Sequence, residues 1–329
     1  MLTGAAPIRQ LDAHAVDELT ETAQKILADF GSSAARPELL RRVAVSAARL
    51  GETIRYHCRP VDTDDGLFVL RGLPADDAGI GPTPTSWATA GDRAAEWDVI
   101  LLLLATAMGH PIAWEGQQEG RFVHNIVPSP GREEEQTGAS STVLLSPHTE
   151  DAFHPGRAHL LLLACMRNHD AVATTAASIR KVRLSPDDDA LLSRPVLPIL
   201  PDDAYAEAQS FAGEPPKVPV LWRTADGPTL RYDPAYTPLD EAPADYRAAY
   251  DRLTAELERV SVAVALEPGD VLVVDNDQIV HGRVPFKARY DGADRWLKRA
   301  SVRVPGRRSR PLAEADEHGY GQAALVAHI

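Results

Sequence analysis

The stretch Ser146-Pro147-His148-Thr149-Glu150-Asp151-Ala152-Phe153-His154-Pro155 limits what this chain can fold into more than any other. It sets an imidazole and a carboxylate two residues apart. On extended backbone, residues i and i+2 point to the same face, so one strand can bring both groups to one metal ion. Two ligands do not complete a site, and the third must come from far along the chain. The best source is His281, which closes the run Val271-Leu272-Val273-Val274-Asp275-Asn276-Asp277-Gln278-Ile279-Val280-His281. That run opens on the turn Pro268-Gly269-Asp270 and reads as one buried strand. Two His and one carboxylate on one side of a metal make the facial triad of non-haem iron(II) oxygenases, with the other positions open to reactants. Taken singly, any of the 11 histidines is as readily a structural residue.

A chain of 329 residues can bury a large core. Its formal net charge of −13 argues against nucleic acid or an anionic membrane as a partner. Cys58 and Cys165 cannot make a disulfide framework and read as reduced core thiols of a cytoplasmic protein. Met1 to Gln10 lacks the basic and apolar regions of a signal peptide. The longest apolar run, Val99 to Ala105, is far too short to span a bilayer. The sequence leaves the oligomeric state open.

Ala13 to Phe30 and Arg36 to Leu50 read as amphipathic helices, and Glu96 to Met108 as a helix buried on all sides. Strands are expected at Gly66–Leu73, Val123–Val127, Ser141–Ser146, Ala158–Met166, Ala171–Ser178, Val271–His281 and Ala300–Val304. Val218–Thr224 and Pro228–Tyr232 read as a hairpin. Asp245 to Leu266 reads as a helix. The charged stretch Gly131 to Gly138 reads as a solvated surface turn, and Pro186 to Glu214 as a long irregular segment. Many short strands, with helices clustered in the N-terminal third, indicate a mainly β fold: a jelly roll backed by helices. Nothing marks a second domain. The expected organisation is one catalytic domain over 1–329, with a helical flank at 1–60, the jelly-roll core with helical insertions at 61–310, and a candidate lid at 201–219.

Four motifs carry a resemblance: His148 to Pro155; Val172-Ala173-Thr174-Thr175; Val274-Asp275-Asn276 through His281-Gly282-Arg283; and Asp294-Arg295-Trp296-Leu297-Lys298-Arg299. From about Val61 onward the chain resembles the clavaminate synthase-like family of iron(II)/2-oxoglutarate dioxygenases. Within it, the likeness is nearest to hydroxylases of free L-arginine of the viomycin-pathway type. The resemblance implies a double-stranded β-helix, with Fe(II), 2-oxoglutarate and O2 as cofactor and cosubstrates. The reaction it implies is hydroxylation of Cβ or Cγ of a free basic or guanidino amino acid, in specialised metabolism.

It also implies site residues. His148, Glu150 and His281 hold the metal. Arg295, fourteen residues after His281, grips the distal carboxylate of 2-oxoglutarate, a task suited to its planar fork. Thr174 or Thr175 adds a hydroxyl there; alternation lets only one point inward, and Thr175 is preferred. Arg299, four residues on and on the same face of an extended chain, takes the amino acid's carboxylate. Gln117, Glu150 and Asp233 complete the substrate contacts, with Asp233 meeting a distal cation. The arginine hydroxylases carry a second Asp where this chain has Ala235, so lysine, citrulline or a cyclic guanidino amino acid stays open beside arginine, and asparagine among neutral substrates. Of other classes, Glu150 argues against a halogenase. A desaturase would share every residue named. A metal-free jelly-roll binding protein would show neither iron nor succinate.

Overall fold

The computed structural model of the chain describes residues 6–31, 37–61, 63–205 and 211–327. Elements are numbered in chain order. Helix α1 (Ala13–Phe30) begins where the Asp12 side chain accepts from the Ala15 N–H, and it buries Ala15, Leu19, Ala23 and Ile26 along one stripe. Helices α2 (Pro37–Ala47) and α3 (Glu52–His57) follow. Helix α4 (Ala95–Met108) carries the chain's most apolar run and is buried nearly all round.

One sheet has the order β1-β2-β11-β6-β13-β3-β14. Its strands are β1 (Ile8–Gln10), β2 (Leu67–Arg71), β3 (His110–Trp114), β6 (Leu160–Arg167), β11 (Val271–Asp275), β13 (Trp296–Arg303) and β14 (Ala324–Val326), with β4 (His124–Ile126) also on β13. The second sheet has the order β10-β7-β12-β5, from β5 (Leu145–His148), β7 (Thr174–Ser178), β10 (Val262–Val264) and β12 (Ile279–Arg283). The hairpin of β8 (Leu221–Thr224) and β9 (Gly227–Leu230) turns at Ala225-Asp226.

Three apolar layers hold these sheets. Phe68, Leu70, Leu162, Val273 and Trp296 face outward from the larger sheet onto α1, α2 and α4. Leu161, Leu163, Leu272 and Leu297 meet Ala176, Val264 and Ile279 between the sheets. Ala177 and Val280 face outward from the smaller sheet onto α5 (Pro186–Leu192) and α6 (Ala244–Val260). The arrangement is a jelly roll, a double-stranded β-helix, with helices on both outer faces.

Several expectations need correction. Val271–His281 is two strands in two sheets, because Asp275-Asn276-Asp277-Gln278 makes a turn between β11 and β12. The expected irregular stretch after Pro186 opens as helix α5. Ser185 caps it by accepting from the Asp188 N–H, with Pro186 in its first turn and three acidic residues behind. Helix α6 stops at Val260, and Val262–Val264 leaves as a strand paired to β7, where β-branched side chains pack well. The expected strand Ser141–Ser146 lies later, at Leu145–His148, and so carries His148 into the sheet. Strands β1 and β14, three residues each, are too short to have shown a pattern. Of the candidate lid 201–219, residues 206–210 lie outside the described residues, as does Arg36.

Candidate active site and metal centre

Strands β5 and β12 are antiparallel neighbours, with His148 directly opposite His281. Cross-strand partners share a face. The sheet alone thus brings together two imidazoles 133 positions apart in the chain. Glu150 follows β5 and reaches the same point. Its Oε2 lies 3.3 Å from His281 Nε2 and 3.8 Å from His148 Nε2. One ligand atom from each of the three residues falls within 4.8 Å of the others. His148 Nδ1 sits 2.8 Å from the Ser146 carbonyl, which fixes the proton there and leaves the Nε2 lone pair facing the cluster. The donor set, its convergence and the oriented tautomer fit a divalent iron ion. Gly282 lets β12 lie this close: a side chain there would collide with the Leu145 carbonyl and the Thr175 hydroxyl.

The trio lines a cavity of about 330 Å³ at the mouth between the sheets, near the small end of the range for ligand sites. At one end stand Arg295 and Arg283, both buried. Arg295 donates to the Thr174 hydroxyl at 2.9 Å, while its Nε has no partner among the described residues. Arg283 clamps the loop at 140–143 through Ser141 O at 3.0 Å and Ser140 Oγ at 2.9 Å. Among the described residues neither guanidinium pairs with a carboxylate. Burial pushes both down to about 10, and for Arg283 the neighbouring Arg295 adds to the effect. Two buried cations without a carboxylate partner among the described residues fit a bound carboxylate, such as the distal one of 2-oxoglutarate.

Thr174, not Thr175, faces this end. Opposite one another across β7 and β12 lie Thr174 and Arg283, Thr175 and Gly282, and Ala176 and His281. The inward set is therefore Thr174, Ala176, His281 and Arg283. Thr175 points the other way with Ala177, so the expectation for Thr175 had the parity of the strand reversed.

Around the metal trio, Arg299 is the hub. It forms an ion pair with Glu150 Oε1, donates to Gln117 Oε1 at 3.1 Å, and meets His124 Nδ1 at 3.0 Å. Burial alone would raise the Glu150 carboxyl, but Arg299 and the two imidazoles hold it well below the ordinary carboxylate range. His124 is opposite Arg299 in the β4–β13 register. Burial and the Arg299 charge press it down to about 3, so it stays a neutral acceptor that orients the guanidinium. Gln117 is presented by a tight turn whose next three residues, Gln118 to Gly120, all have left-handed φ.

The opposite end is acidic. Asp202 and Asp203 line the cavity. Burial raises Asp202 to about 7, and Asp151, Glu150 and Asp233 add to the rise. Asp233 is half-buried beside His148 but does not line the cavity. Its Oδ1 accepts from the Ala235 N–H at 3.1 Å, as in a turn, and burial raises it to about 6. The segment carrying Asp202 is tied down by Tyr205, whose hydroxyl donates to Asp151 at 2.5 Å; Trp114 Nε1 donates to the other Asp151 oxygen at 2.6 Å.

Sequence reasoning brought together His148, Glu150, His281, Gln117, Arg295 and Arg299. It missed His124, Asp202 and the positive charge of Arg283 at the cavity. It also missed that Arg132, Gln136, Thr137 and Gly138 of the charged loop wall the cavity instead of forming a solvated turn. His154 and His159 stay outside the trio. His154 Nδ1 accepts from the Gly156 N–H and His159 Nδ1 from the Val304 N–H.

The family described as taurine catabolism dioxygenase TauD, TfdA matches residues 101–301, which hold the whole metal trio. The chain belongs to the TauD/TfdA family. It is accordingly an iron(II)/2-oxoglutarate-dependent dioxygenase, using O2. It is 37% identical over 269 residues to the enduracididine beta-hydroxylase of Streptomyces hygroscopicus, covering 74% of this chain and 79% of the relative. Among solved structures it is similar to the non-heme iron oxygenase OrfP in complex with Fe, succinate and (3R,4R)-dihydroxy-L-Arg (36% identity, TM-score 0.82, 90% of this chain and 94% of that one). The same protein is also known with Fe and alpha-ketoglutaric acid (37% identity, TM-score 0.79, the same coverage). Asparagine oxygenase in complex with Fe(II), 2S,3S-3-hydroxyasparagine and succinate is also similar (32% identity, TM-score 0.81, 90% and 93%). Among the described residues, no helix is long and apolar enough to cross a membrane.

Proposed function

We propose that this dioxygenase hydroxylates Cβ or Cγ of a free L-amino acid with a basic or guanidino side chain. The observation that carries this reading is the charge content of the cavity: the metal trio, two buried guanidinium groups that pair with no carboxylate among the described residues, and the carboxylates of Asp202 and Asp203 all line it. His148, Glu150 and His281 would hold the iron. Iron(II) there, with 2-oxoglutarate and dioxygen, supplies the oxidising power that turns a C–H into C–OH while 2-oxoglutarate leaves as succinate and carbon dioxide.

The protein's own residues bind and orient. Arg295 and Thr174 take the distal carboxylate of 2-oxoglutarate, with Arg283 adding positive potential. Arg299, held by Gln117 and His124, takes the amino acid's carboxylate. Glu150 Oε1, the oxygen that also pairs with Arg299, would accept from the α-ammonium group. Asp202 meets the distal cation, and Asp233 reinforces its field. A molecule held at both ends presents its middle carbons to the metal, and orientation of this kind selects the C–H that reacts. Burial and mutual repulsion raise Asp202 and Asp233 toward neutrality, and a cationic side chain would offset that repulsion where a neutral one would not. The similarity to an enduracididine beta-hydroxylase and to OrfP, which binds (3R,4R)-dihydroxy-L-Arg, agrees with a guanidino group.

The test is product analysis over a panel of free amino acids with iron(II), 2-oxoglutarate and oxygen. The expected product of a basic amino acid is heavier by one oxygen at Cβ or Cγ, with matching succinate. A product lighter by two hydrogens would make the enzyme a desaturase. Absence of succinate formation with every basic amino acid would sink the reading.

A further inference from the structure

Glu150 lies just beyond β5, and the next residue, Asp151, has a left-handed φ of 53°. The backbone there has left the sheet ladder and needs another anchor. That anchor is one side chain. Asn276, with no exposure to solvent, accepts from the Glu150 N–H at 2.9 Å and donates to the Glu150 carbonyl at 3.0 Å. Its remaining amide hydrogen goes to the Ala158 carbonyl at 3.1 Å. A carboxamide is one of the few groups that can do this, because it pairs a fixed acceptor with two fixed donors. Both sides of the Glu150 α-carbon are held by one rigid fork. The fork belongs to the turn that leads into β12, the strand of His281.

The turn is itself held from the far end of the chain. Arg307 and Arg308 each donate to Asp275 Oδ2 at 2.6 Å, and Arg310 donates to Asp277 Oδ1 at 3.0 Å. Arg310 also donates to the carbonyls of Arg157 and Ala158, at 2.9 and 3.1 Å. Asp275 and Asp277 are fully buried, and the Arg307 and Arg308 side chains nearly so. Buried ion pairs give little net stability, and their best-attested use is to fix one register. Three of them on one turn, beside the fork that grips a metal ligand, point to placement.

We propose that Asn276 is a positioning residue that sets the Glu150 carboxylate against His148 and His281, and that Arg307, Arg308 and Arg310 hold Asn276 in place. The proposal rests on Glu150 being a metal ligand. A merely structural Asn276 would lower the melting temperature and leave iron affinity untouched. Asn168 supplies the control. Its buried amide also makes three backbone hydrogen bonds, to Val172 N–H, Val172 O and Leu266 O, none of them to a residue of the trio.

The experiment measures iron(II) affinity by chelator competition, and apo-protein melting, for wild type, Glu150→Ala, Asn276→Ala, Asn276→Asp, Arg308→Gln and Asn168→Ala. Loss of an outer partner of a metal ligand weakens metal binding by about 10- to 100-fold. Asn276→Ala should show a loss of that size. Asn276→Asp, which keeps the acceptor but turns an oxygen toward the Glu150 and Ala158 carbonyls, should lose at least as much. Arg308→Gln should move the same way by a smaller factor. Asn168→Ala should melt lower yet bind iron within about twofold of wild type, since no metal ligand depends on it. If Asn276→Ala does not fold, Asn276→Asp and Arg308→Gln carry the decision. Wild-type iron affinity in the folded Asn276 variants, or an equal loss in Asn168→Ala, overturns the proposal. Wild-type iron affinity in Glu150→Ala would instead overturn the ligand assignment beneath it.

Discussion

The two ends of the cavity are built differently. The cationic end stands on sheet: Arg283 on β12, Thr174 on β7, and Arg295 directly before β13. The acidic end stands on connections: Asp202 and Asp203 lie between α5 and β8, and Asp233, outside the lining, lies between β9 and α6. Ladder hydrogen bonds fix the first, while the second depends on particular ties such as Tyr205 to Asp151. Groups on strands are placed more precisely than groups on loops, and loops change more freely. In the proposed reading this division matches the demands on the two ends. The cosubstrate is the same throughout such a family, so its end can be rigid. The amino acid differs from one relative to another, so its end sits where the chain can be rewritten.

The strongest way to break this comparison is to remove what lies between the two ends. His281→Ala should abolish iron retention and turnover with any amino acid, because a facial triad has no spare protein ligand. A metal analysis showing wild-type iron content would refute the assignment. Next comes the cationic end. Arg295→Gln should cost about 2–5 kcal/mol of cosubstrate binding, a rise of roughly 30-fold or more in the KM for 2-oxoglutarate. The KM for the amino acid should move little. A change shared equally between the two substrates would erase the distinction between the ends.

The acidic end should give the reverse pattern and a smaller effect. Asp202→Asn removes a charged partner worth about 1.5–3 kcal/mol, so the KM for a basic amino acid should rise about tenfold or more, with 2-oxoglutarate unaffected. Asp233→Ala should do less, since that carboxylate also serves its own turn. A pH profile sharpens the contrast at the lowest amplitude. Asp202 and Asp233 are raised to about 7 and about 6, so their negative charge is complete above that window and lost as pH falls through it. The kcat/KM for a basic amino acid should therefore fall between pH 7 and 6 by several-fold, as the free enzyme's essential groups take up protons. The guanidinium end stays charged across the same window. A kcat/KM that stays level there would count against the acidic cluster as the cation's site.

The same division explains what could be read from the chain. Site residues on strands or at their ends announce themselves by spacing: His148 with Glu150, and Arg295 with Arg299. Alternation within one strand gives a parity but not its sign, so spacing alone does not choose between Thr174 and Thr175. The sign is set by the β7–β12 register, a tertiary fact. His124 was hidden for the same reason, since only its pairing opposite Arg299 gives it a task. Asp202 had no spacing to betray it, being one acid in a Pro- and Asp-rich connection. The run from Val271 to His281 misled because its apolar residues continue across a turn; the Asp-Asn-Asp in the middle was the signal that it is two strands.

The central claim is that the acidic end selects a cation. Arginine and citrulline have nearly the same shape and differ in side-chain charge, so their comparison isolates it. The measurement is succinate formation and hydroxylated product, as kcat/KM, for the two amino acids under identical iron and 2-oxoglutarate. The account predicts that arginine is favoured by about tenfold or more, the worth of a charged contact between its guanidinium and the acidic end. Equal turnover of the two, or a preference for citrulline, would contradict it.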